Sequence, residues 1–220
     1  MKRENSGFVG RVARRALSVA LATAVYGAVL AAWRSPLMAV YVAAKLPLVF
    51  LGTTAVVSVF CWMAGLLTGA GLRLGEVLDA VFTAMGVAGA VLVAVAPVVL
   101  FLVFSGAPDA GTPDEMRFAH ACLLGVHILV LGGAGVMGLG SLVWGLRRHV
   151  PPTCRLGMML SLWLVSFAVV GCQGGWMLRP LVGSPNIAVE FLREDALKGN
   201  FLESLFNQII PHLVRKGAVS

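Results

Sequence analysis

Five apolar runs without a charged residue set the pattern of hydrophobic and polar positions along this chain. Each run is close to or longer than the ~20 residues that a helix needs to cross the hydrocarbon core of a bilayer. The pattern therefore predicts an all-α, polytopic membrane helix bundle. The expected spans are residues 16–33, 46–67, 80–104, 118–146 and 156–178, between a basic N-terminal segment of residues 1–15 and a tail of residues 179–220.

The first run, residues 16–33, has three possible interpretations. It follows a basic segment, as the apolar region of a signal peptide does. However, it is longer than the ~7–15 apolar residues of a signal peptide and ends at Trp33 and Arg34 without a clear small-x-small cleavage site. We favour an uncleaved first span, and the alternatives are a helix at the membrane interface and a cleaved signal.

Proline and capping residues predict where several helices begin or bend. Pro47 suits the first turn of the second span, where its missing N–H costs nothing. Residues 37–44 are too few to cross the bilayer, so we expect them at the interface or as an extension of that helix. Pro97 should kink the third span. Thr112 and Glu115 fit a TxxE capping box, which predicts that the fourth helix begins at about residue 113.

Glycine is concentrated in the fourth span and recurs at the end of the fifth. Glycine lets neighbouring helix backbones approach closely in a membrane, so we expect the fourth helix to lie centrally in the bundle. The fifth span carries a GxxxG pair, which is expected to pack against another helix. The glycines are Gly125, Gly132, Gly133, Gly135, Gly138 and Gly140 in the fourth span, and Gly171 and Gly175 in the fifth.

Composition narrows the class of protein further. The chain is 59% hydrophobic and 12% charged, about half the ~25% charged fraction of a soluble domain. The formal net charge is +7, but the basic residues cluster beside the apolar runs and form no stripe with interleaved aromatics, so we expect no nucleic-acid binding. The four cysteines stand singly, without CxxC or a histidine at metal-binding spacing, and we expect neither a metal nor a cofactor.

The distribution of basic residues predicts the orientation. If the N-terminus is cytoplasmic, the cytoplasmic segments before residue 156 hold nine Lys and Arg and the outer segments hold three. The positive-inside rule then favours an N-in, C-out protein of the bacterial cytoplasmic (inner) membrane. The nine are Lys2, Arg3, Arg11, Arg14, Arg15, Arg73, Arg147, Arg148 and Arg155, and the three are Arg34, Lys45 and Arg117.

Three ionisable residues are weak candidates for an intramembrane function. Asp79 lies at the boundary of the third span, where an acid can either act in function or simply favour the helix dipole. His120 and His127 are seven residues apart and share a face of the fourth helix. Their axial separation of about 10 Å is too large for one metal ion without help from another helix. For all three residues we favour a structural role.

The segment between the fifth span and the tail holds the main interaction candidates. Proline after Arg179 should end the helix, and the amide of Gln173 needs a partner from another helix. We expect the Arg179 guanidinium to bond to this corner and to tail acids, with snorkelling to lipid phosphate as the alternative. The interaction candidates are Gln173, Trp176, Arg179, Pro180, Gly183 and Pro185, and the helix-packing candidates are Gly171 and Gly175.

The tail is expected to contain one amphipathic helix. Asn200 suits its N-cap, and Glu203 completes a reciprocal pair. The helix would lie on the membrane, pack on the bundle or bind a partner. Its apolar face consists of Phe201, Leu202, Leu205, Phe206, Ile209 and Ile210.

A set of residues in this corner and tail resembles the GxQxxWxLRPxxGSP signature of a family of uncharacterised multi-pass bacterial inner-membrane proteins. The resemblance extends over about residues 35–206 and includes KLPL at residues 45–48. It implies a polytopic inner-membrane protein and no known reaction. The residues that carry it are Gly171, Gln173, Trp176, Leu178, Arg179, Pro180, Gly183, Ser184 and Pro185, then Phe191, Leu192, Arg193, Gly199, Asn200, Phe201 and Glu203.

The sequence contains no recognisable catalytic motif. HExxH, GxSxG, Walker A and paired intramembrane aspartates are all absent from it. We therefore expect a non-enzymatic integral membrane protein that acts as a structural, scaffolding or partner-binding component of a membrane assembly. Its partners would be the bilayer and either another membrane protein or further copies of itself. The alternative is a small transporter or channel.

Overall fold

The described part of the chain folds into five long α-helices. The computed structural model describes residues 2–106, 112–179, 181, 189–192 and 203. No β-strand occurs in these ranges, and the prediction of an all-α bundle is confirmed. The helices are α1 (Lys2–Ala31), α2 (Pro36–Leu67), α3 (Leu74–Gly106), α4 (Pro113–Leu146) and α5 (Leu156–Met177).

All five helices are long and apolar enough to cross a membrane. Helices α2, α3 and α4 have 32, 33 and 34 residues. At ~1.5 Å per residue they are about 48–51 Å long, which exceeds the ~30 Å hydrocarbon core. These helices must therefore extend into the headgroup region. The chain is a multi-pass membrane protein by the length and composition of its helices.

The helices form a row in the order α5, α2, α1, α3 and α4. α1 packs against α2 and α3, which also contact each other, while α4 packs against α3 and α5 packs against α2. α4 and α5 are thus the terminal helices of the row, and an apolar cleft lies between them over α3. We call the end that holds the start of α1 and the α2–α3 and α4–α5 connections the basic end. The opposite end, where the tail leaves α5, is the tail end.

Two glycines allow the closest helix crossings. A Cβ on Gly27 of α1 would lie 2.6 Å from the carbonyl oxygen of Val42 in α2. A Cβ on Gly138 of α4 would lie 2.8 Å from the carbonyl oxygen of Ala84 in α3. Real Cβ atoms essentially never approach so closely, so only glycine permits these two crossings.

The interior divides into two apolar clusters. The cluster at the tail end joins α1, α2, α3 and α4, and the tail residues Leu181 and Val189 pack against it. The cluster at the basic end joins α2, α3, α4 and α5 and includes the buried Trp163. Val150 and Cys154 of the α4–α5 connection pack against this second cluster. Both the tail and this connection are therefore attached to the bundle by apolar contacts.

Local capping signals explain several helix ends. The Thr112 hydroxyl accepts a hydrogen bond from the Glu115 backbone N–H, and the Glu115 carboxylate accepts one from the Thr112 N–H. The predicted capping box at the start of α4 is therefore confirmed. At the end of α2, Gly69 adopts φ 78°, and the Ala70 N–H donates to the Gly65 carbonyl. This left-handed glycine ends α2 and reverses the chain toward α3.

Two expectations about helix geometry are wrong. Pro47 lies inside α2 and not in its first turn, because Ser35 caps the helix and Pro36 occupies its first position. Residues 37–44 are consequently the first turns of α2. α4 is a terminal helix of the row and not a central one. Of the six glycines predicted to bring neighbours close, only Gly138 would place a Cβ within 4 Å of a described atom outside its own helix backbone.

Candidate buried polar site

A fully buried hydrogen bond between two side chains joins α1 and α4. The Tyr26 hydroxyl and His127 Nδ1 share a hydrogen bond of 3.0 Å, and the two side chains are 0% and 1% exposed. Their rings meet edge to face, with centroids 5.9 Å apart. α1 and α4 each pack against α3, and this hydrogen bond is a direct contact between them.

A second aromatic contact lies nearer the tail end. It joins Trp33, seven residues after Tyr26 and just beyond the end of α1, to His120, seven residues before His127. The Trp33 and His120 rings have centroids 5.4 Å apart and an interplanar angle of 41°. Because α1 and α4 are antiparallel, the equal spacing places Trp33 opposite His120 and Tyr26 opposite His127. The prediction that the two histidines share a helix face agrees with this geometry, and that face is turned toward α1.

Each histidine retains an imidazole nitrogen without a protein partner. His120 Nδ1 and His127 Nε2 are buried and make no hydrogen bond to the part of the chain that the structure describes. A buried polar atom without a partner costs about 1–3 kcal/mol. These two atoms can therefore accept or donate a further hydrogen bond inside the bundle.

Metal binding is not supported at this site. Among the described residues, no group of three His, Cys, Asp or Glu side chains is placed to hold a metal ion. Tyr26 and His127 together offer too few ligands for the four-coordinate sites that zinc prefers. The pair is better suited to holding α1 and α4 in register.

Asp79 forms an ion pair at the basic end. The Arg15 guanidinium of α1 donates to the Asp79 carboxylate and, at 3.0 Å, to its backbone carbonyl. The two side chains are 35% and 41% exposed, so water screens the pair. This position favours the interpretation of Asp79 as a boundary residue, here joining α1 to α3.

Lys45 is a polar core residue that the sequence does not indicate. The apolar pattern puts it before the second span, but it lies within α2 and is 0% exposed. Its Nζ lies 3.5 Å from the Glu190 carbonyl oxygen and 5.3 Å from the Phe191 ring centroid. The Phe191 ring also meets Tyr41 edge to face at 5.5 Å. Recognising Pro36 as the first residue of α2 would have placed Tyr41 and Lys45 one turn apart on one face.

Lys45 therefore fastens the tail to the bundle. Its aliphatic stem is buried in α2 while its ammonium group reaches the tail backbone, as expected for an amphipathic side chain. Phe191 adds a cation–π contact and an aromatic pair. The tail residues 189–192 are thus held against the tail end of α2.

Part of the predicted corner lies within the described residues. The Arg179 guanidinium stacks over the Trp176 ring at 3.8 Å, and Gln173 is half-buried near the end of α5. α5 ends at Met177, as expected from the proline that follows Arg179. Whether tail acids hold Arg179 stays a prediction. Pro180, Gly183, Pro185 and the amphipathic helix expected from residue 200, apart from Glu203, lie outside the described residues.

The glycines of α5 meet two different neighbours. Cβ positions on Gly171 and Gly174 would both lie 3.7 Å from the Thr53 side chain of α2. A Cβ on Gly175 would instead lie 4.0 Å from Leu181 in the tail. The α2–α5 contact therefore uses glycines three residues apart, and Gly175 faces the returning chain.

The cleft between the terminal helices is almost entirely apolar. Its volume is about 350 Å³, and its lining comes from α3, α4 and α5. Two lining residues, Val136 of α4 and Leu164 of α5, are 68% and 46% exposed. The cleft therefore opens sideways, toward the region that lipid occupies.

Comparison with protein-family models, curated proteins and solved structures found no match to this chain. The class of protein therefore rests on the fold and the site alone. They define an integral membrane protein whose described residues form five helices, with a buried Tyr–His pair and a tail fastened to the bundle by a buried lysine.

Proposed function

We propose that this protein is a non-enzymatic, partner-binding component of a membrane assembly. The observation that supports the proposal is the glycine content of α4 together with its position at one end of the helix row. Gly125, Gly133 and Gly140 have no atom of the described chain within 4 Å of a Cβ position. A helix with several glycines that no described helix contacts is suited to packing against a helix from another molecule.

The outward face of α4 is both apolar and sparsely contacted. Leu129 and Trp144 are 76% and 63% exposed. Gly133 and Gly140 are seven residues apart and so share one face of the helix. Neither glycine lines the cleft toward α5. This face combines bulky side chains with gaps that a partner helix can fill.

We place the protein in the bacterial cytoplasmic membrane with its basic end in the cytoplasm. Arg73, Arg147, Arg148 and Arg155 lie in the connections at this end, and Arg15 lies near it through its pair with Asp79. The excess of cytoplasmic Lys and Arg is the usual determinant of orientation.

A pair of leucine substitutions tests the proposed face. Gly133→Leu with Gly140→Leu should remove a partner that co-purifies in mild detergent, because two side chains would fill the space that the partner helix occupies. Gly52→Leu is the matched control. Gly52 is an exposed residue of α2, and a Cβ on it would also meet no atom of the described chain within 4 Å. Recovery of the parent protein only as a lone monomer, or equal loss of the partner in the control, would contradict the proposal.

A transporter is the second candidate function, favoured by the Tyr26–His127 pair inside the bundle. An ionisable residue within a span is a functional candidate by default. The test is substrate or proton flux in proteoliposomes with Asp79, His120, His127 and Gln173 substituted together. Flux that depends on these four residues would favour transport, whereas flux that survives their loss would exclude this pathway.

A further inference from the structure

We propose that the cleft between α4 and α5 holds an acyl chain of an anionic phospholipid whose headgroup lies at the basic end. This inference does not depend on the proposed partner, because the glycines of the partner face, Gly133 and Gly140, do not line the cleft. The occupant is a lipid of the leaflet at the basic end, which is the cytoplasmic leaflet in the proposed orientation.

The shape and lining of the cleft suit a hydrocarbon chain. Its lining extends along α4 from Gly132 to Leu142, which is about 15 Å at ~1.5 Å per residue. All the lining residues are apolar side chains or glycines. A single acyl chain is much thinner than a helix and needs no polar lining.

The tight crossing beneath the cleft fixes its depth. Gly138 and Ala84 bring α3 and α4 into close contact, while α5 packs on α2. α4 and α5 are therefore held by different neighbours and do not close over α3. The gap is a consequence of this helix arrangement and of the lack of side chains at Gly132 and Gly135.

The α4–α5 connection supplies charge complementary to an anionic headgroup. Residues 147–155 contain Arg147, Arg148 and Arg155 and no acidic residue, and all three arginines are exposed. Within the described part of the chain, no carboxylate pairs with any of them. Leu142, at the near end of the cleft, lies about 7.5 Å along the helix from Arg147. A chain lying in the cleft therefore has its headgroup within reach of these guanidinium groups.

Contacts with the bundle hold the α4–α5 connection, which carries the three arginines, in place. Val150 and Cys154 pack against the apolar cluster at the basic end, and the Arg155 N–H donates to the Thr68 carbonyl at 3.3 Å. Arg148 also stacks over the Trp144 ring at 3.6 Å. A tryptophan and arginine at this level are typical of the lipid headgroup region.

Native mass spectrometry with added phospholipids tests the headgroup part of the proposal. The full chain in mild detergent should retain phosphatidylglycerol more strongly than phosphatidylcholine with the same acyl chains. Arg147→Gln with Arg155→Gln should reduce this preference by about fivefold for each arginine, as expected for a basic residue at an anionic membrane surface. Arg11→Gln with Arg14→Gln removes the same charge from α1 at the same end and should leave the preference unchanged.

A second pair of variants tests the cleft itself. Gly135→Phe should displace the lipid, because Gly135 lines the cleft and has open space at its Cβ position. Leu164→Trp fills the cleft from α5 and should have the same effect if the first variant folds poorly. Gly52→Phe adds the same side chain outside the cleft and should retain the lipid.

Three results would overturn the proposal. The first is equal retention of the two phospholipids by the parent protein. The second is phosphatidylglycerol retention that both cleft-filling variants leave intact. The third is loss of a protein partner, with unchanged lipid retention, when the cleft is filled, because the cleft would then hold a helix. Loss of the partner in the α4 glycine variants with lipid retained would support the separation of the partner face from the cleft.

Discussion

The crossing of α1 and α2 at Gly27 gives the sharpest prediction for stability. In Gly27→Ala the new Cβ would lie 2.6 Å from the Val42 carbonyl oxygen and 3.2 Å from the Leu46 Cβ. The first distance is about 0.8 Å short of the 3.4 Å at which ordinary contact begins. The obstructing atom belongs to the backbone of α2, so it cannot move aside as a flexible side chain would.

The helices must therefore separate, and the contacts on either side of the crossing lose energy. A gap of ~0.5–1 Å already forfeits a quarter to a half of the dispersion energy between facing atoms. Overpacking of this kind typically costs about 1–3 kcal/mol. We expect Gly27→Ala to lower the free energy of unfolding by that amount, near the upper value because α1 and α2 form an extensive contact.

Reversible unfolding in mixed micelles measures this change. Gly52→Ala is the control, because it makes the same chemical change in α2 where a Cβ meets no atom within 4 Å. Gly138→Ala should behave like Gly27→Ala, since its Cβ would meet the Ala84 carbonyl oxygen at 2.8 Å. If Gly27→Ala and Gly52→Ala unfold within ~0.5 kcal/mol of each other, the crossing is not as close as described and the reasoning is refuted.

Three further substitutions test the polar contacts. Tyr26→Phe removes the hydrogen bond to His127 and should lower the free energy of unfolding by about 0.6–2 kcal/mol. A free energy of unfolding equal to that of the parent would contradict this link between α1 and α4. Asp79→Asn should lower the free energy of unfolding by less than about 1 kcal/mol, because Arg15 and Asp79 are partly exposed. Loss of a cellular phenotype without loss of stability would instead indicate a functional acid. Lys45→Met keeps the apolar stem but removes the ammonium group, so the tail should be cleaved faster in limited proteolysis; an unchanged cleavage rate would show that apolar contacts alone hold the tail.

Features that depend on local chemistry could be predicted from the sequence. The Thr112 capping box and the end of α5 before proline require only neighbouring residues, and the structure has both. The five spans follow from uncharged runs because the bilayer imposes their length. The start of α2 is earlier than the apolar pattern predicts. Pro47 resembles a helix start, but Pro36 with its Ser35 cap is the stronger signal.

Features that depend on which helices meet could not be predicted. The glycines of α4 suggest a central helix, but glycine composition alone does not tell whether the neighbouring helix belongs to the same chain. The burial of Lys45 depends on the tail returning over α2, which no local pattern encodes. The pairing of Tyr26 with His127 joins residues 101 positions apart, and only the His120–His127 spacing on one face gives a partial signal.

Five membrane spans with the basic end in the cytoplasm are the central claim about this protein. The test is labelling of single cysteines by a membrane-impermeant thiol reagent in intact cells, in a variant whose natural cysteines have been replaced. A cysteine at Thr112, before α4, should react from outside, and one at Thr153, in the α4–α5 connection, should react only after the cells are opened. Labelling of Thr153 but not Thr112 in intact cells would invert the protein and contradict the account.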